Sequence, residues 1–263
     1  MGFPVGRIER VYLTHLHSDH LDSLGEVMLQ AWVGGSRKQP LPIAGPEGVR
    51  EVVAGFNAAY RIDSTYRTAH HGVAIADPAG FGGVAEVIPA PTGPGNTAVV
   101  LNEGDLRITV IAVDHKPVSP AFGFRIDYKD RSVVISGDTT YSADLVAASQ
   151  GVDVMLHEAL KTDMVAEMRD AAAAKGVANI SKVMGDILDY HASPEDAARA
   201  AKDAGAKALV LYHIVPPLPS NLLYAAFLGD APGIFSGPIK VAEDGLLISL
   251  PAGGTAVNQS MIR

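Results

Sequence analysis

The sequence predicts an α/β fold, and three observations carry that prediction. Apolar runs of strand length alternate with helical stretches along the chain. The 263 residues are enough for one domain with a sizeable core. Polar residues able to bind or catalyse recur just past the carboxyl ends of the apolar runs, the edge at which ligands collect in α/β sheets.

Taken in order, Ile8–Thr14 reads as a strand. Leu21–Trp32 reads as a helix because Leu24, Val27, Met28, Ala31 and Trp32 share one face, and Gly34-Gly35 ends it. Residues 40–97 are rich in Gly, Pro and Ala with weak periodicity, so they are expected to be loop and helix pieces that could cover a pocket. Strands follow at 106–113, 121–128 and 131–136, the last two joined by a turn at Lys129-Asp130, and another at 152–156. Residues 162–175 read as a helix. Ser193-Pro194-Glu195-Asp196 reads as a helix start, with Ser193 as N-cap, Pro194 in the first turn and Asp196 closing a capping box. Gly205 ends that helix, and Lys207–Tyr212 returns as a strand. With no internal repeat and no low-complexity linker, one domain over residues 1–263 is the simplest organisation.

Composition excludes several classes. Hydrophobic residues make up 48% of the chain, yet no apolar run approaches the ~18 residues of a membrane span. The formal charge of −8, with Arg37-Lys38 the densest basic pair, argues against a general nucleic-acid binder. The absence of cysteine rules out disulfides, thiolate metal ligands and a thiol nucleophile, and leaves the redox compartment open. Met1–Arg7 contains no apolar signal core, so no secretion signal is read. Gly6, where Ser or Thr would be needed, argues against myristoylation.

Residues 14–20 read Thr-His-Leu-His-Ser-Asp-His, directly after a strand. A lone histidine is more often structural than functional, but three imidazoles and a carboxylate this close together leave that explanation little room. His15 and His17 lie two apart in extended chain and can point the same way to share a cation. Asp19 and His20 follow at a helix start, turned toward a neighbouring position. Nitrogen and carboxylate donors without sulfur suit catalytic zinc, which keeps a position open for water; manganese or iron also satisfies them. Three further polar residues follow apolar strands: His115, Asp138 in Ser136-Gly137-Asp138-Thr139, and His213.

Together these motifs resemble the metallo-β-lactamase superfamily over residues 8–250. Within it the chain is most similar to the branch of ribonuclease Z and the zinc arylsulfatases, because Leu156-His157-Glu158-Ala159 resembles its "HEAT" motif and His191-Ala192-Ser193 its "HST" motif. Glyoxalase II shares the first motif but has a shorter gap to the next histidine. The resemblance implies an αββα sandwich. It implies two zinc ions, one held by His15, His17 and His115 and one by Asp19, His20 and His213, with Asp138 bridging. It also implies His191 as general acid oriented by Glu158, so Asp19, His191 and Glu158 are the candidate catalytic residues. His70-His71 either line a substrate pocket or form an exposed loop pair.

Two departures shape the expected function. Ribonuclease Z carries a long arm that grips tRNA between the positions of His115 and Asp138, whereas Lys116–Gly137 leaves room for one hairpin. With the acidic charge, this makes tRNA an unlikely partner and a small-molecule phosphodiester or sulfate ester the expected substrate. The alternatives are β-lactam, lactone or amide hydrolysis on the same metal centre, and a metal-binding fragment without activity. Second, only Met1–Thr14 precede His15, so the chain reads as lacking the family's N-terminal strands. An exposed sheet edge then predicts homo-oligomers or low solubility. A cytoplasmic location is read from the chain as it stands, and a periplasmic one if a signal was lost with those strands.

Overall fold

The computed structural model describes residues 4–262. They form two compact units, one ending at Ala90 and one beginning at Pro91.

The first unit holds a three-stranded parallel sheet in the order β1 (Val11–Tyr12), β2 (Leu41–Gly45) and β3 (Gly83–Val87). Parallel neighbours need crossovers, and two helices supply them. α1 (Leu24–Gly35) starts three residues later than the expected helix, and it runs through Gly34 and Gly35 before Ser36 caps it in a left-handed conformation, φ 46°. Its inward face (Leu24, Met28, Ala31) packs with Leu41, Ile43, Val49 and Val53. Trp32 is fully buried, and its indole N–H donates to the Asp77 carbonyl at 2.7 Å.

α2 (Val49–His71) runs for 23 residues inside the stretch expected to be loop and helix pieces. That expectation is corrected: residues 40–97 hold β2, α2, β3 and the first residue of the next strand. The signal was weak for a physical reason. α2 buries only Val49, Val53 and Ser64, so it lacks the apolar stripe that periodicity detects. Asn57 ties it to β3: its amide donates to the Gly83 carbonyl and accepts from the Gly83 N–H, both at 2.9 Å. Gly82, φ 80°, is required beside it, because a Cβ there would lie 2.2 Å from the Asn57 Oδ1.

The second unit is built on a seven-stranded sheet. β4 (Thr97–Glu103), β5 (Leu106–His115), β6 (Val118–Tyr128) and β7 (Arg131–Ile135) form an antiparallel meander. β8 (Val154–Leu160), β9 (Ala208–Val215) and β10 (Ile239–Val241) continue the sheet in parallel. The strands expected in this unit are all present, with β5, β6, β8 and β9 each longer than read, whereas the strand expected at Ile8–Thr14 is only Val11–Tyr12. Lys129 makes the hairpin turn with φ 55°. A short antiparallel hairpin, β11 (Leu246–Ser249) and β12 (Asn258–Met261), closes the described chain.

Four helices matter for the site: α3 (Ala143–Ala148), α4 (Thr162–Ala174), α5 (Ala178–Asp186) and α6 (Pro194–Asp203). α6 begins as expected: the Ser193 Oγ accepts from the Asp196 N–H at 3.0 Å, and the Asp196 carboxylate accepts from the Ser193 N–H. Its alanines, 197, 198, 200 and 201, are fully buried with Leu145, Met155, Leu209, Leu211 and Phe227. Small residues let the helix lie close to the sheet. Among the described residues no helix is long and apolar enough to cross a membrane.

Candidate metal centre

In the first unit, the chain leaves β1 with the Leu13 N–H donating to the Ala44 carbonyl, which extends the sheet and delivers the histidine run at its edge. His15 is fully buried. His17 caps a 3-10 turn, Ser18–His20, which replaces the expected helix start. The His15 Nε2 and His17 Nδ1 lie 3.1 Å apart. Two ligands of a tetrahedral zinc, at bonds of ~2.0–2.1 Å, are separated by about 3.3 Å, so this spacing fits a shared cation. The His20 ring centroid is 4.1 Å from that of His15, and its Nε2 is 3.5 Å from the Asp19 carboxylate.

In the second unit, the expected residues converge on Asp138, which is 2% exposed in the turn after β7. Gly137, φ 63°, makes the turn that places it. The Asp138 Oδ2 lies 3.6 Å from the His213 Nε2, 3.9 Å from the His115 Nε2 and 4.0 Å from the His191 Nδ1. Donor atoms of Asp138, His191 and His213 all fall within 4.8 Å of one another.

His115 and His213 were expected just past strand ends. Instead each lies inside its strand, at an irregularity of the ladder. The β5–β6 pairing shifts between Val113 and His115. His213 is the extra residue of a bulge between β8 and β9, with φ 48°. Bulges re-aim side chains, which is what brings these rings to Asp138.

Hydrogen bonds fix the tautomers. A carbonyl can only accept, so the Nδ1–H of His115 donates to the Tyr190 carbonyl at 2.9 Å, and in the neutral ring the lone pair is then on Nε2. The Glu158 Oε1 accepts the backbone N–H groups of Thr139 at 3.0 Å and Ala192 at 3.2 Å, so it also accepts the Nδ1–H of His191 at 2.9 Å. Burial, then the neighbouring Asp138 carboxylate, push the Glu158 carboxyl well above the ordinary glutamate value; the Thr139 and Ala192 N–H groups pull it back. A cation on Asp138 would remove the second of these causes. The imidazole and carboxylate donors grouped around buried Asp138, with no sulfur among them, therefore fit a divalent metal.

His157 is fully buried and donates from Nδ1 to the Glu158 carbonyl at 2.8 Å; burial pushes its pKa down, against the pull of that hydrogen bond. His70 and His71 are not a loop pair: they end α2, exposed, with ring centroids 4.9 Å apart, and neither joins a metal-competent group among the described residues. Sequence reasoning missed Tyr190 and Thr139. The Tyr190 carbonyl and the Thr139 N–H are backbone groups, which carry no side-chain signature.

Mixed α/β units presenting histidines and carboxylates from strand edges define a metal-dependent hydrolase of the metallo-β-lactamase fold. The comparisons agree. A beta-lactamase superfamily domain model matches residues 4–214. A ribonuclease Z of Mycobacterium avium (strain 104) is 37% identical over 246 residues, 93% of this chain and 80% of that one. A ribonuclease Z of Mycobacterium bovis (strain BCG / Pasteur 1173P2) is 34% identical over the same shares. The structure of the short form of human tRNase Z superposes with a TM-score of 0.62 at 22% identity, covering 95% of this chain and 82% of that one. The metallo-β-lactamase fold protein YhfI of Bacillus subtilis gives 0.59 at 22% identity, covering 98% and 81%; these two likenesses speak to fold alone. The chain belongs to the metallo-β-lactamase superfamily and, within it, to the ribonuclease Z family.

One expectation is overturned here. A small-molecule ester substrate, with tRNA unlikely, conflicts with relatives at 34–37% identity that are named as ribonucleases over 80% of their length. The physical reason is that net charge is a sum over the whole chain and says nothing of the charge around a site. The short Lys116–Gly137 hairpin was likewise too local a feature to decide the substrate.

Proposed function

We propose that the protein hydrolyses phosphodiester bonds in tRNA with the help of two divalent metal ions, zinc by preference. The observation that carries this reading is the His191–Glu158 pair, 2.9 Å apart and next to Asp138. A ribose oxygen is a poor leaving group and needs a proton as it departs; a lactam nitrogen or an activated ester makes a different demand.

Following the resemblance, His15, His17 and His115 would hold one ion, and Asp19, His20 and His213 the other, with Asp138 shared. When bound, such ions supply Lewis acidity and lower the pKa of water toward ~7. The chain's own groups do the rest. The Tyr190 carbonyl holds the His115 Nδ1–H, which orients the ring so that Nε2 would be the ligating nitrogen. The Glu158 Oε1 holds the His191 Nδ1–H, which aims the opposite nitrogen as proton donor to the leaving oxygen. The Thr139 and Ala192 N–H groups hold Glu158 in place while it does so.

The test is a substrate panel given to the zinc-loaded protein: a tRNA precursor transcript, an unstructured RNA of equal length, bis-nitrophenyl phosphate, nitrophenyl sulfate and a chromogenic β-lactam. The precursor should be cut at a defined position and faster than the unstructured RNA. Turnover of the sulfate or β-lactam with none of the three phosphodiesters cleaved would overturn the proposal.

A further inference from the structure

We propose that Tyr190 is a positioning residue that locks His115 and His191 into one arrangement, through its carbonyl on the first and its ring against both. The inference rests on the reading of His115 as a ligand and His191 as the acid. Tyr190 follows the 3-10 turn Ile187–Asp189 and leaves the helical region, φ −127° and ψ 14°. That bend turns its carbonyl to His115 and sends the chain on to Ala192, whose N–H reaches Glu158.

The ring contacts are the second part of the device. The Tyr190 phenol meets His115 edge-on, centroids 4.8 Å apart at 76°, and meets His191 tilted, 4.7 Å apart at 41°. The two imidazoles are themselves 5.2 Å apart. Each imidazole thus has its Nδ1 fixed by a hydrogen bond, to the Tyr190 carbonyl or to the Glu158 Oε1. A single hydrogen bond sets a tautomer but leaves the ring able to swing about it. A shared aromatic neighbour removes that freedom for both rings at once. Site geometry tolerates only about 0.5 Å and 10–20° of error, so this second restraint has functional weight. The phenol hydroxyl takes no part in the argument; the ring does.

The chain also places this restraint at a junction. Residues 162–189, between Glu158 and His191, form α4, α5 and the 3-10 turn, and within α4 and α5 only Val165 is buried. A loosely anchored hairpin gives the site little rigidity of its own, so the restraint has to come from Tyr190 at its end.

The test compares Tyr190→Phe, which keeps the ring, with Tyr190→Leu, which does not; Tyr190→Met fills similar space should the leucine variant fail to fold. The first readout is nitrogen-15 NMR of the histidine rings in the metal-free protein. The second is turnover of a series of aryl phosphodiesters with graded leaving groups by the zinc-loaded enzyme. The leucine variant should shift or broaden the His115 and His191 ring signals. It should lose about 10–100-fold in kcat for poor leaving groups with KM unchanged, and the phenylalanine variant should restore both properties. Unchanged ring spectra in the leucine variant, or an equal loss across the leaving-group series, would overturn the proposal. If the wild-type protein turned over no phosphodiester, the catalytic reading would fail, while the NMR comparison would still decide whether Tyr190 holds the two rings.

Discussion

At the residue scale, His213 shows how much the site depends on backbone shape. Its φ of 48° is costly for most side chains, and the bulge that imposes it aims the imidazole at Asp138. Asparagine tolerates this region and valine does not. His213→Asn should therefore weaken metal binding yet melt close to the wild type, while His213→Val should lose about 1–2 kcal/mol of stability as well. Equal stability of the two, measured by urea unfolding, would show that the bulge is not strained. His191→Ala belongs at the same scale. General acid catalysis is typically worth ~10²–10⁴-fold, so ribonucleotide substrates should suffer that loss and nitrophenyl esters much less. The candidate ligands stood out in the sequence because imidazoles and carboxylates cluster there at telling intervals. The bulge at His213, the shift at His115 and the Tyr190 carbonyl were not, since register and backbone direction leave no mark on residue type.

At the scale of elements, legibility followed local signals such as caps and apolar stripes. α6 announced itself through Ser193, Pro194 and Asp196, and its capping box is present. Ser193→Ala should cost about 1 kcal/mol, read as a lowered melting temperature. α2 stayed hidden because most of its 23 residues face away from the core, and β2 and β3 were hidden with it. A second element-scale device ties β7 to β8. Arg131, 4% exposed at the side chain, donates to the Asp153 carboxylate at 3.0 Å, and Lys207 donates to its other oxygen at 2.7 Å. Burial alone would raise the Asp153 carboxyl, but the Lys207 and Arg131 donors outweigh it and hold the pKa below the ordinary value. A depressed carboxylate pKa contributes stability that is full above the unfolded value of about 3.9 and is lost as pH falls through the folded value. Asp153→Asn should destabilise the protein at pH 7 by about 3–5 kcal/mol, and its stability should fall less steeply than the wild type's below pH ~4. Parallel acid profiles would mean that Asp153 is not the group that titrates.

At the scale of the molecule, composition was the least reliable guide. A charge of −8 pointed away from nucleic acid, while relatives 34–37% identical are named for acting on RNA. The proposed ligand residues are divided between two stretches of sequence, His15–His20 in the first unit and His115, Asp138 and His213 in the second. The proposed assignment needs both stretches. It predicts close to two divalent ions per chain after zinc loading, with Asp138→Ala losing far more metal than a single-site change such as His213→Asn. Elemental analysis of the three proteins checks this; one ion retained in full by Asp138→Ala would remove Asp138 from the shared position.

The central claim is that these ligands serve phosphodiester hydrolysis in tRNA. The most direct measurement follows cleavage of a tRNA precursor by the wild-type protein as prepared, after chelation, after zinc is restored, and by Asp138→Ala under the same loading. Cleavage at one position that disappears on chelation, returns with zinc and is absent from Asp138→Ala is the predicted result. Cleavage that survives chelation, or an Asp138→Ala protein that cuts as fast as the wild type, would contradict the account.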